Sequence, residues 1–60
     1  MHKLTLRFVA FYGPTQNSTN IVKTWVEKDK STCNRKAANY LLKLREIGFV
    51  VMGLTREDHG

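Results

Sequence analysis

The chain has 60 residues, with ten Lys and Arg against five Asp and Glu, so its formal net charge is +5. That length allows a single domain, residues 1–60, and excludes a second one. Cys33 is the only cysteine, which excludes an internal disulfide, and the two histidines lie at opposite ends without the spacing of a metal site. We therefore expect no metal, no cofactor and, since a lone thiol suits a reducing compartment, a cytoplasmic protein.

The first predicted element is a strand from Lys3 to Tyr12, because the chain alternates there with a period of two and is rich in aromatic residues. Gly13-Pro14 ends this strand, and residues 15–19 form a polar loop. The side chains predicted to point inward are Leu4, Leu6, Phe8, Ala10 and Tyr12, and those predicted to point outward are Lys3, Thr5, Arg7, Val9 and Phe11.

A second strand is predicted from Asn20 to Glu27. The side chains predicted to point inward are Val22, Thr24 and Val26. The reason is Lys23, which alternates with Val22 and whose charge favours water. This choice places Trp25 on the outer face with Lys23. The opposite assignment, with Trp25 as a core anchor, stays open because a shift of one residue exchanges the two faces.

A helix follows, with Ser31 or Thr32 as the N-cap and its end near Ile47. Gly48 is placed to end it in a left-handed conformation. The residues at helical spacing that form its apolar stripe are Cys33, Ala37, Tyr40, Leu41, Leu44 and Ile47.

The third strand is predicted from Phe49 to Thr55, and residues 56–60 are expected to be a frayed tail. The first two strands should pair antiparallel across the polar loop, and the helix should return the chain so that the third strand lies beside the first. The predicted fold is therefore α+β, a three-stranded antiparallel sheet with one helix on one face, in the order β-β-α-β. The other face of the sheet stays open.

The open face is the first candidate binding surface. Phe11 and Trp25 are its expected anchors, and Arg7 and Lys23 its charged rim. The side chains expected on it are Arg7, Val9, Phe11, Ile21, Lys23 and Trp25, with Phe49 and Val51 as possible members from the third strand. Aromatic groups bordered by cations suit either a protein interface or the stacking of bases with contacts to phosphates. The alternative is that Trp25 and Phe11 are core residues.

The exposed side of the helix is the second candidate. Arg35, Asn39 and Leu42 lie there, and Asn34 is nominated with them as a polar contact. The competing interpretation is a solvated helix surface with one tolerated leucine, since single exposed leucines are common.

Catalysis has one candidate residue, Cys33. Its position near a helix N-terminus and near several cations would lower a thiol pKa. It also falls on the apolar stripe, and no His or acid is placed to activate it, so a buried structural thiol is the favoured interpretation. We expect a protein that is not an enzyme.

The run Phe8-Val9-Ala10-Phe11-Tyr12, followed by a polar loop, a second strand and a helix, resembles the Dmd family of antitoxins from T-even-type phages. The resemblance implies a non-enzymatic phage protein that blocks a host ribonuclease toxin by stoichiometric binding. It assigns no site residue, so Trp25, Asn34 and Asn39 are nominated from this sequence alone.

The function predicted on these grounds is a small inhibitor that binds a host protein, acidic or involved in RNA processing, in the host cytoplasm. The alternative is a basic nucleic-acid-binding module that uses the same sheet face. No membrane partner is expected. A domain this small is marginally stable, so a homodimer is a further possible assembly.

Overall fold

The fold was obtained as a computed structural model that describes residues 1–13 and 17–60. These residues form three strands and one helix: β1 (His2–Tyr12), β2 (Ser18–Glu27), α1 (Lys30–Ile47) and β3 (Phe49–His59). The strand order is β2-β1-β3 with both pairings antiparallel, and α1 covers one face of the sheet. The predicted α+β fold and the order β-β-α-β are confirmed. Residues 14–16, part of the predicted turn and loop, lie outside the described residues.

The core lies between β1 and the helix. As the central strand, β1 has both edges hydrogen-bonded, so its inward side chains are the most completely enclosed. The inward side of β1 is as predicted, although Tyr12 at its end stays partly exposed and contacts the ring of Phe49, with centroids 5.5 Å apart. The buried apolar side chains are Leu4, Leu6, Phe8, Ala10, Cys33 and Ala37.

The predicted face of β2 is wrong. Trp25 and Ile21 pack against the core, whereas Val22 is 58% and Val26 is 51% exposed. Trp25 pairs with Leu4 across the sheet, and its ring meets Tyr40 of α1 edge to face at 5.5 Å. The larger aromatic surface is covered in preference to valine, because burial is favourable in proportion to apolar area. Lys23 shares this face because its long stem carries the ammonium group out to solvent.

The helix begins two or three residues earlier than predicted, because Asp29 is the N-cap rather than Ser31 or Thr32. Its carboxylate accepts a hydrogen bond from the backbone N–H of Thr32 at 2.8 Å, and this bond lowers the pKa of Asp29. Gly48 ends the helix in the left-handed conformation, as predicted, with φ of 114°. Ile47, placed on the apolar stripe from its spacing, is exposed.

A bulge in β3 sets which side chains of that strand face the helix. Between Arg7 and Val9 of β1 the register shifts, so that Phe8 lies opposite both Gly53 and Leu54. Gly53 has a positive φ of 62°, a conformation that glycine adopts without strain. Beyond the bulge the alternation of β3 is shifted by one residue, which turns Arg56 and Asp58 toward the helix side of the sheet.

That shift orders the segment predicted to be a frayed tail. Arg56 to His59 belong to β3 and pair with β1. The Asp58 carboxylate accepts hydrogen bonds from Arg56 at 2.7 and 2.9 Å and from His2 at 2.8 Å, and these bonds hold its pKa well below the ordinary value. Arg56 also donates to the side-chain oxygen of Asn34 on α1. The end of the chain is thereby fixed to the first turns of the helix.

Within the described residues, no helix has the length and apolar character needed to cross a membrane.

Candidate functional site

The eight residues nominated from the sequence fall on three separate surfaces. Arg7 and Phe11 lie on the open face of the sheet, as predicted. Lys23 and Trp25 lie on the opposite face, where they meet Asn39 of the helix. The single aromatic and basic surface expected on the open face is therefore wrong, because the sheet separates Trp25 from Phe11. Asn34, Arg35 and Leu42 lie elsewhere on α1.

The open face carries a block of four apolar side chains, which we call the sheet patch: Val9, Phe11, Val50 and Met52. Val9 pairs directly with Met52, and Phe11 pairs with Val50, so the four form two adjacent cross-strand pairs. Met52 is 55% and Val50 is 44% exposed, and the two β1 residues are partly exposed. The block is contiguous, which distinguishes it from the single exposed apolar residues found on most proteins.

A shallow recess adjoins the sheet patch. Its volume is about 300 Å³, and Val9, Arg7 and Val22 are among the residues that line it, with Gly53 at the bulge. A Cβ at Gly53 would meet nothing within 4 Å, so the recess is open at this point. A side chain from a partner could enter here, which is the geometry typical of the central residues of protein interfaces.

Charged and polar groups border the sheet patch. The Arg7 guanidinium lies 3.5 Å from the Glu57 carboxylate, in an exposed pair that leaves both groups accessible to a partner. Next to that pair, the Thr5 and Thr24 hydroxyl groups are hydrogen-bonded to each other at 3.1 Å, so the buried hydroxyl of Thr5 is satisfied. The arrangement is an apolar centre with a polar rim, as in protein interfaces.

Sequence reasoning missed Val50 and Met52, and named Phe49 and Val51 as possible members of the open face instead. Phe49 and Val51 pack against the core. The sequence showed in part that β3 contributes to the open face, because alternate residues of a strand lie on opposite faces of a sheet. The pairing of Tyr12 with Phe49 decides which set of alternate residues faces the open side. Both of these residues lie on the helix side of the sheet, so Val50 and Met52 lie on the open side.

On the other side of the sheet, a cleft lies between β2 and α1, which we call the groove. Its volume is about 290 Å³. The Lys23 ammonium lies over the rings of Trp25 and Tyr40, at 5.9 and 5.6 Å from the ring centroids. The residues that line the groove are Lys23, Trp25, Lys36, Asn39, Tyr40 and Lys43.

The groove is electropositive. Lys36 donates to the Glu27 carboxylate at 2.9 Å, at one end of the cleft. For Lys23 and Lys43, no carboxylate of residues 1–13 and 17–60 comes within ion-pair distance. Two cations are thus left uncompensated around the aromatic rings, which lie partly exposed. The chemistry of the groove suits an anion attached to a flat apolar group.

The remaining nominated residues do not form a site with these surfaces. Asn34 accepts a hydrogen bond from Arg56 and so helps to hold the end of β3. Arg35 is exposed on the helix, and Leu42 is 51% exposed.

Cys33, the candidate nucleophile, is fully buried in the core. Its thiol donates to the backbone oxygen of His2 at 3.5 Å and lies 3.8 Å from that of Trp25. These contacts hold the thiol between the helix and two strands. In the part of the chain that the structure describes, no group of three or more His, Cys, Asp or Glu could hold a metal ion.

Comparison of the chain with protein-family models, with curated proteins and with solved structures finds no match.

Proposed function

We propose that this protein is a non-enzymatic inhibitor that binds one partner protein, in a one-to-one complex, through the sheet patch and the recess beside it. The observation that carries the proposal is the contiguous block of Val9, Phe11, Val50 and Met52 on the sheet face that α1 leaves uncovered within residues 1–13 and 17–60. Contiguous exposed apolar surface of this kind is typical of interaction sites. Two of the four, Phe11 and Met52, are residue types enriched in interfaces.

The charge of the chain supports an acidic partner. A net charge of +5 favours association with a negative surface, and Arg7 stands at the border of the sheet patch, where it can exchange Glu57 for a carboxylate of the partner. Such rim contacts contribute more to the rate and specificity of binding than to its strength. The apolar pairs supply the affinity.

The resemblance to Dmd-type phage antitoxins supports one class of target, a ribonuclease toxin in the cytoplasm of an infected cell. An inhibitor of 60 residues can block such an enzyme by covering its substrate site, because a typical interface takes about 800 Å² from each partner. Catalytic groups are not needed for that mechanism. The proposed function is therefore stoichiometric occlusion.

The test is an RNA-cleavage assay with a purified ribonuclease toxin of the class that Dmd-type antitoxins block. We expect cleavage to stop at about one inhibitor per enzyme, the ratio that a tight one-to-one complex gives. Native mass spectrometry should show the same ratio. The RNA substrate is kept in large excess over the inhibitor.

That excess separates occlusion of the enzyme from simple coating of the RNA. If the inhibitor needed for half-maximal effect follows the enzyme concentration, the proposal is supported. If it follows the RNA concentration, or if a two-fold homodimer forms and no mixed complex does, the proposal is wrong.

A further inference from the structure

The groove between β2 and α1 is not used by the proposed inhibitor function, and it has its own chemistry. It lies on the helix side of the sheet, whereas the sheet patch lies on the open side. Its floor is aromatic and its border is cationic. A surface of this composition, at a cleft of about 290 Å³, calls for a ligand that combines a flat ring with negative charge.

The aromatic floor is rigid. The rings of Trp25 and Tyr40 meet edge to face with centroids 5.5 Å apart, and Tyr40 in turn meets the buried ring of Phe8 at 6.3 Å. Each ring is therefore fixed by a second ring, and the chain of contacts continues into the core. Fixed, partly exposed rings can stack a base with little loss of side-chain entropy.

The cations come from both sides of the cleft. The backbone positions of Lys36 and Lys43 are seven residues apart on α1, which is about 10 Å along the helix axis, and Asn39 lies between them. Lys23 comes from β2 on the other side. A phosphate chain in the cleft can contact lysines from either side, and the Asn39 amide can both donate to and accept from the edge of a base.

The two aromatic rings favour a nucleotide over an acidic peptide. All three cations of the groove are lysines, whose ammonium groups act as point charges for phosphate and carboxylate oxygens alike. A base, unlike the side chain of Asp or Glu, has a flat face that stacks on an aromatic ring. An acidic peptide would leave the two rings without a role.

We propose that the groove is a binding site for single-stranded nucleic acid, in which a base stacks on Trp25 beside the edge-on ring of Tyr40 while phosphates contact Lys23 and Lys43. Lys36 contributes a weaker contact, because Glu27 already holds it. The site does not depend on the inhibitor function, because it uses the opposite face of the sheet.

Trp25 is the only tryptophan in the chain, so its fluorescence reports directly on the groove. The probe is decauridylate RNA, titrated into the wild-type protein at several salt concentrations. We expect saturable quenching of Trp25, and an affinity that falls with salt with a log–log slope of about −1.4 to −2, corresponding to two or three phosphate contacts.

Three lysine variants test the position of the site. Lys23→Ala and Lys43→Ala should each weaken binding roughly five- to tenfold at about 50 mM salt, since each removes about one phosphate contact. Lys3→Ala is the matched control, because Lys3 is an exposed lysine on the opposite face of the sheet and its removal changes the net charge equally. We expect no loss of affinity for that variant beyond twofold.

Three results would overturn the proposal. The first is the absence of quenching by decauridylate at low salt. The second is an equal loss of affinity in Lys3→Ala and Lys43→Ala, which would mean diffuse attraction to the whole basic chain. The third is binding of a hexaglutamate peptide as tightly as decauridylate, which would identify the groove as a site for acidic peptides.

Discussion

The sheet patch and the groove differ in chemistry although they lie on the two faces of one three-stranded sheet. The patch is made of four apolar side chains from β1 and β3, and the groove of lysines and aromatic rings from β2 and α1. In each strand, adjacent residues serve opposite faces: Val22 lies on the open side, and its neighbour Lys23 on the helix side. A sheet of three strands can therefore carry an apolar contact surface on one face and a cationic surface on the other.

Truncating a residue of the core that supports both surfaces should abolish inhibition and RNA binding together. Leu4 is fully buried beneath α1, and Leu4→Ala should lower the free energy of unfolding by about 2–5 kcal/mol, because it leaves a cavity in the core. Since small domains have only about 3–5 kcal/mol from their core, inhibition and RNA binding should be lost at the same time. Urea unfolding followed by Trp25 fluorescence measures the effect.

Leu54→Ala is the matched control, because Leu54 is an exposed leucine on β3. It should change the free energy of unfolding by less than about 0.5 kcal/mol. An unchanged urea midpoint for Leu4→Ala would contradict the described core.

A charge within the sheet patch should affect one surface alone. Met52→Lys places an ammonium group between Val9 and the partner, so we expect the inhibition constant to rise about 100-fold, as for a central interface residue. The fold should tolerate the change, since Met52 is exposed. The ribonuclease assay measures it.

Leu42→Lys serves as the control for that variant, because Leu42 has nearly the same exposure but lies on the helix. Inhibition by Leu42→Lys should equal that of the wild type. A loss of inhibition in Leu42→Lys comparable to that in Met52→Lys would move the interface to α1, where the sequence had also nominated Leu42.

The C-terminal end of α1 requires a glycine at position 48. Its φ is 114°, and a Cβ there would come 2.7 Å from the Tyr12 ring. Gly48→Ala should therefore lower the free energy of unfolding by about 1–3 kcal/mol, a typical range for backbone strain. Thermal unfolding tests this, with Gly13→Ala as the control, because a Cβ at Gly13 would contact nothing within 4 Å. Equal melting temperatures for the two variants would exclude the strain.

How much of this could be read from the sequence differs between the strands. The alternation of β1, the apolar stripe of α1 and the helix end at Gly48 follow from local patterns, and the fold class follows from their order. The face of β2 does not, because a lysine is compatible with either face when its stem can reach solvent. Trp25 lies inward because its ring packs against that of Tyr40, which is 15 residues away in the chain.

The end of β3 was also beyond local patterns. A bulge at Gly53 changes which residues face the helix, and only the pairing with β1 reveals it. Without that shift, Arg56 and Asp58 would point away from Asn34 and His2, and a charged segment at the chain end would have little to hold it. The candidate site was predicted only in part for the same reason: Arg7 and Phe11 depended on β1, and Val50 and Met52 on the register of β3.

The smallest expected effect is a pH dependence at that chain end, remote from both surfaces. The pKa of Asp58 is lowered in the folded protein by Arg56 and His2, so its contribution to stability is present above the unfolded pKa of about 3.9 and is lost as pH falls through the folded value. The melting temperature of the wild type should fall more between pH 6 and pH 2 than that of Asp58→Asn. Equal falls would contradict the role of the Arg56–Asp58–His2 contacts.

Met52→Lys and Lys43→Ala together test whether the sheet patch and the groove are separate sites, in two assays: inhibition of the ribonuclease toxin and quenching of Trp25 by decauridylate. We expect Met52→Lys to lose inhibition and keep RNA binding, and Lys43→Ala to keep inhibition and lose RNA affinity. If either variant weakens both activities while its melting temperature is unchanged, the sheet patch and the groove are one site and not two.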